Sequence, residues 1–110
     1  MEKFSLDASA RELLARAERS SAGRGAETLY GGHEHVLRQT VIAMRAGAVL
    51  EEHENPGEAT LIVLRGRVEL VAPHASWTGQ AGDLLVLPQA RHEVTAVTDS
   101  ALLLTVAKLP

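Results

Sequence analysis

The spacing of apolar positions divides the chain into a short helical start and a longer β-rich remainder. Near the N-terminus, Ser9 and Glu12 have the separation of a capping box, and Leu13, Leu14 and Ala17 then recur at the spacing of one helix face. Gly23 and Gly25 follow, where glycine commonly closes a helix. These positions predict a helix near residues 9–21. After Gly25, β-branched residues and leucines come in short runs, broken by Gly, Pro or Asn about every eight to twelve residues. That rhythm predicts strands at 26–30, 35–45, 59–65, 67–72, 83–87, 92–98 and 101–108. Arg65-Gly66-Arg67 reads as a tight hairpin, with glycine supplying a positive φ. Asn55-Pro56-Gly57, Gly79-Gln80-Ala81-Gly82 and Thr98-Asp99-Ser100 read as further turns. The chain thus divides into an N-terminal helical extension, residues 1–25, and a β domain, residues 26–110.

Three strands are apolar at consecutive positions: Leu61-Ile62-Val63-Leu64, Leu84-Leu85-Val86-Leu87 and Leu102-Leu103-Leu104. Side chains alternate across a strand, so both faces of each of these strands are apolar and both need cover. A helix of about three turns is too small to shield them all. A second copy of the chain is the economical cover, and a homodimer is expected.

Composition narrows the function classes. With 110 residues the chain is one domain's length and buries somewhat over ~60% of its unfolded surface, enough for one core. Phe4, Tyr30 and Trp77 are its only aromatics, so that core is aliphatic. The net charge of −3 and the scattered Lys and Arg residues lack the basic patch of a nucleic-acid binder, and a single short helix cannot form a helix-turn-helix. Nucleic acid is not an expected partner. Cysteine is absent, which excludes a disulfide framework and thiolate chemistry. The first residues lack the cationic and apolar segments of a secretory signal, and no run reaches the ~18 apolar residues of a membrane span. The expected location is cytoplasmic, with no membrane association. No phosphate loop, nucleophile elbow or zinc-protease helix is present.

Two stretches carry paired signatures. In the first, Gly47 is followed after five residues by His53, then Asn55 and finally Gly66. In the second, Gly82 leads through Asp83-Leu84-Leu85-Val86-Leu87 to Pro88, with Ala90 and His92 beyond. Over about residues 40–107 these resemble the two motifs of the small single-domain cupins, the cupin 2 or RmlC-like jelly rolls. Asn55 stands where the family's second histidine falls, Ala59 where its glutamate falls, and His92 comes one residue early. A tighter turn after Pro88 accounts for the last difference, because a slip within the strand would reverse its faces.

The resemblance implies an all-β fold, a cupin-type antiparallel β-barrel or jelly roll preceded by one short N-terminal helix. It also implies that His53 and His92 converge in the barrel mouth. Two imidazoles so placed suit one first-row divalent metal, Fe, Mn, Ni, Cu or Zn, and Glu58 is the nearest carboxylate to complete the set. Glu58 precedes the family position by one residue, so it needs a bulge to face inward. Asn55 suits a hydrogen bond to ligand or water, and Arg38 a bidentate grip on a small anion. Each has a plainer reading: metal-free pocket histidines, a solvated Glu58 and an outer-face salt bridge for Arg38. His33 and His35, two apart and able to share one strand face, form a separate potential metal pair or an exposed strand entrance. His74 reads as a polar loop residue, and Trp77 as an aromatic anchoring a loop against the sheet.

Fold resemblance does not choose a reaction. The leading expectation is a small-molecule-binding cupin with a degenerate histidine-lined pocket, acting as a sensor or accessory protein. The alternatives are a metal-dependent oxygenase or isomerase for a small polar or anionic substrate, and a structural or interaction domain. The dimer is directly testable: light scattering at micromolar concentration is expected to return twice the 11.8 kDa chain mass. A monomer mass would remove that expectation.

Overall fold

A computed structural model describes residues 1–52 and 57–108. The helix α1 spans Leu6–Arg19, earlier than the capping-box reading placed it. Ser5, not Ser9, is the N-cap: its side chain accepts from the Ala8 amide at 3.2 Å, and Ser9 lies within the helix. Asp7 in the first turn and Arg16 and Arg19 in the last complement the helix dipole.

Nine strands follow: β1 (Arg24–Tyr30), β2 (Leu37–Met44), β3 (Val49–Glu52), β4 (Gly57–Arg65), β5 (Arg67–Ala72), β6 (Ala75–Gln80), β7 (Leu84–Val86), β8 (His92–Ala96) and β9 (Ser100–Lys108). Seven correspond to expected strands; β3 and β6 were not anticipated. β6 carries only one apolar side chain longer than alanine, Trp77, and β3 ends in two glutamates, so neither forms an apolar run.

The strands form two antiparallel sheets, one ordered β1-β2-β9-β4-β7 and the other β3-β8-β5-β6. From β2 onward the chain passes repeatedly between sheets, in the manner of a jelly roll. The sheets stay separate among the described residues: no strand of one pairs with a strand of the other, so the expected barrel is an open sandwich. Arg65-Gly66-Arg67 is accordingly no hairpin. β4 belongs to the first sheet and β5 to the second, and Gly66 is where the chain crosses between them.

Strand alternation sorts the apolar residues into two cores. Leu61, Val63, Leu102, Leu104 and Ile42 from the five-stranded sheet meet Val68, Leu70, Val94 and Ala96 between the sheets. The opposite phase of the same strands, Val41, Ala43 and Leu103, lies under Leu13 and Ala17 of α1, with Ile62 and Leu64 packed alongside. The helix therefore covers much of the outer face expected to need a partner. It does not reach β7, where Leu84 is 59% and Val86 72% exposed.

Two polar connections hold this arrangement. At the crossover, Ser100 is fully buried; its Oγ accepts from the Arg67 amide at 3.1 Å and lies 2.8 Å from the Thr98 carbonyl oxygen. At the helix start, Asp7 hydrogen-bonds and ion-pairs with Arg65 at the end of β4. The Arg65 hydrogen bond, reinforced by the charges of Arg65 and Arg11, holds the Asp7 carboxyl below its usual range.

Gly66 has φ of +80°, and a methyl group there would meet the Asp99 carbonyl oxygen and Ser100 Oγ. Gly66→Ala is expected to cost about 2 kcal/mol or more, read from the urea unfolding midpoint. An unchanged midpoint would show that the crossover tolerates a side chain. For Asp7 the sign follows from its lowered pKa: its contribution is present above the unfolded value, near ~3.9, and fades as pH falls through the folded value. Asp7→Asn is expected to lower the unfolding midpoint at pH ~7 and to make little difference near pH ~2. A constant offset at both pH values would contradict this.

Candidate functional site

Among the described residues, His92 and Ser100 are the buried polar side chains, and His92 is the buried ionisable one. The sequence places it there in two steps. The turn at Ala81-Gly82, with Gly82 at φ of +94°, is closed by Asp83, whose carboxylate accepts from the Gln80 amide at 2.9 Å. β7 then runs along β4, and the Leu87 amide donates to the Ala59 carbonyl at 3.0 Å. After Pro88 the chain crosses back, and the Gln89 side chain ties that crossing to the Gly57 carbonyl at 2.6 Å.

His92 opens β8 in phase with Val94 and Ala96, which belong to the inner core. The one-residue shortening of the motif is thus taken up in the connection after Pro88, and the imidazole faces inward at 2% exposure. Its Nδ1 lies 3.0 Å from the Ala90 carbonyl oxygen. A carbonyl only accepts, so Nδ1 carries the proton of this bond and Nε2 holds the ring's lone pair in the neutral form.

His92 lines a cavity of about 400 Å³ at the open end of the four-stranded sheet. Val71, Ala72 and Pro73 form its apolar side, while Glu51, Arg91 and Glu93 supply charge. Glu51 and Glu93 are direct register partners across β3 and β8. This volume falls within the range of small-molecule pockets.

Of the other expected site residues, Glu58 and Arg38 do not line this cavity. Glu58 lies one residue before the inward-facing Ala59 of β4; it is exposed on the outward phase, and no bulge interrupts the strand there. Arg38 pairs in register with inward-facing Val106 but is exposed near the end of β2 and does not line the cavity. His53 and Asn55 lie outside the described residues. His33 and His35 occupy the β1–β2 connection. The His35 ring stacks on Tyr30 with centroids 4.7 Å apart, its Nδ1 lies 3.3 Å from the tyrosine hydroxyl, and its Nε2 lies 3.5 Å from Glu34. Trp77 is half-exposed on β6 as the register partner of Leu70, within a strand rather than a loop.

Sequence reasoning did not place Glu51, Glu93 or Arg91 in the site. The signal that finds them is register: once β3 is recognised, Glu51 falls opposite Glu93. Among the described residues, no group of three or more His, Asp or Glu side chains is placed to hold a metal ion. With Glu58 on the outer face, the described donors amount to His92 and do not by themselves fit the metal that the family resemblance implies.

The open-ended jelly roll with one short helix defines a class, the small antiparallel β-sandwich domains. Solved structures give the family. An RmlC-like cupin from Desulfovibrio desulfuricans is 30% identical, with a TM-score of 0.67 over 76% of this chain and 81% of that one. A conserved protein of unknown function from Streptococcus pyogenes is 25% identical, with a TM-score of 0.72 over 83% and 79% of the two chains. A cupin superfamily protein from Desulfitobacterium hafniense shares the fold at 14% identity, with a TM-score of 0.71 over 78% of each. The chain belongs to the cupin family. No family profile and no curated protein matches it in sequence.

Proposed function

We propose that this chain is a small-molecule-binding cupin that holds its ligand in the cavity beside His92 and acts as a sensor or accessory protein. The observation that carries the reading is the burial of His92 at the wall of the roughly 400 Å³ cavity. The cavity sets an apolar strip against a few charged side chains, the combination that orients a small polar ligand. Val71, Ala72 and Pro73 supply apolar contact, and the charges of Arg91, Glu51 and Glu93 favour a ligand with polar groups at its edge. Leu84 and Val86, exposed on β7 beyond the helix, are the side chains a homodimer would cover.

A second reading, a metal-dependent oxygenase or isomerase, draws on one feature of the same histidine. The Nδ1 contact with the Ala90 carbonyl is of the kind by which second-shell groups orient metal-binding imidazoles.

Elemental analysis of untagged protein, purified without chelator and dialysed, separates the two. Binding without a metal is expected to leave well under one equivalent of any first-row metal per chain. A screen of small polar compounds is then expected to yield ligands that raise Tm in the wild type and not in His92→Ala. Near one equivalent of metal, lost in both His53→Ala and His92→Ala, would replace this reading with the enzyme one.

A further inference from the structure

A second recess opens on the flank of the sandwich, away from His92. The five-stranded sheet has one strand more than the sheet it faces, and β1 forms that overhang. Ala26 and Thr28 of β1 pair in register with Ile42 and Thr40, so they share the inward phase, yet both are exposed. Beneath the overhang lies a cavity of about 280 Å³, with Ala26, Ile42 and Leu50 as apolar walls and Arg24 among its lining residues.

Charge gives this recess a character opposite to that of the His92 cavity. Arg24 makes no ion pair among the described residues. At the same corner the Arg45 guanidinium packs near Gly23 and donates to the Glu18 carbonyl oxygen at 3.2 Å, a neutral acceptor that leaves its charge uncompensated. Among the described residues no acidic side chain lines this recess, whereas Glu51 and Glu93 line the other.

We propose that the lateral cavity is a second ligand site, for a small organic carboxylate with an apolar tail. The Arg24 guanidinium matches a carboxylate in shape and charge, with two parallel N–H donors for its two oxygens. Ala26, Ile42 and Leu50 take the tail out of water. The volume lies at the lower edge of ordinary small-ligand pockets, about 300 Å³ upward, which fits a medium-chain acid and not a two-chain lipid. This site shares no lining residue with the His92 cavity and does not depend on the function proposed there.

Titration of the ¹⁵N-labelled full chain with sodium octanoate, followed by amide chemical shifts, tests the assignment. Saturable shifts are expected at Ala22, Arg24, Ala26 and Leu50. Arg24→Gln is expected to weaken octanoate binding by roughly tenfold or more, and Ala26→Phe, which fills the recess from an exposed position, to abolish it. Octylammonium is expected to bind more weakly than octanoate in the wild type. The proposal is overturned if the shifts cluster at Val71, Arg91 and Glu93, if octylammonium binds as well as octanoate, or if no shift saturates.

Discussion

Leu102, Leu103 and Leu104 on β9 bury in opposite directions, and the rest of the molecule is arranged to make that possible. Leu102 and Leu104 point between the sheets, while Leu103 lies beneath α1. β9 can satisfy both demands because it is the central strand of the five-stranded sheet, with β2 on one side and β4 on the other. Each neighbour repeats the pattern: Ile42 faces inward and Val41 the helix on β2, and Leu61 faces inward and Ile62 the helix on β4. A polar residue at any of these positions would be sealed on one side by the opposing sheet or on the other by the helix, at the cost of an unmet hydrogen bond.

The same arrangement locates the site. Aliphatic packing fills the middle of the sandwich, so a cavity can form only where strands end or where one sheet outruns the other. The open end beside His92 is the first kind of place, and the overhang of β1 is the second. The two recesses differ in charge because they draw on different strand ends. Glutamates from β3 and β8 line one, and the arginine that opens β1 lines the other.

Much of this was legible in the sequence because alternation and turn residues are local signals. The seven anticipated strands carry apolar runs or β-branched residues between glycines, and the Gly-Asp-Leu-Leu-Val-Leu-Pro segment together with His92 identified the family. The missed strands, β3 and β6, are edge strands whose exposed positions are polar or small, so composition does not set them apart from loops. The hairpin assigned to Gly66 shows a different limit. A positive φ was correctly expected there, but whether a turn joins neighbours within one sheet or carries the chain to the next depends on partners far away in sequence. Glu58 illustrates the value of phase: its offset from the family position by one residue is what sets it on the outer face. Arg91 and Glu93 flank His92 in the chain but gave no individual signal, and Glu51 joins them only through the pairing of β3 with β8.

The pairing of β2 with β9 has a consequence for how the chain reaches this structure. Its register joins Leu37 to Ala107, so the central strand acquires one of its two neighbours only when nearly the whole β-rich segment has been looped around. The β5–β6 hairpin, closed between Ala72 and Ala75, needs almost no loop at all. Loop-closure entropy therefore ranks these events, with the hairpin among the quick ones and the seating of β9 among the slow. Topologies dominated by such distant contacts generally fold in the millisecond-to-second regime. During that interval the leucines of β9 are exposed to other chains, which makes concentration during refolding a determinant of yield.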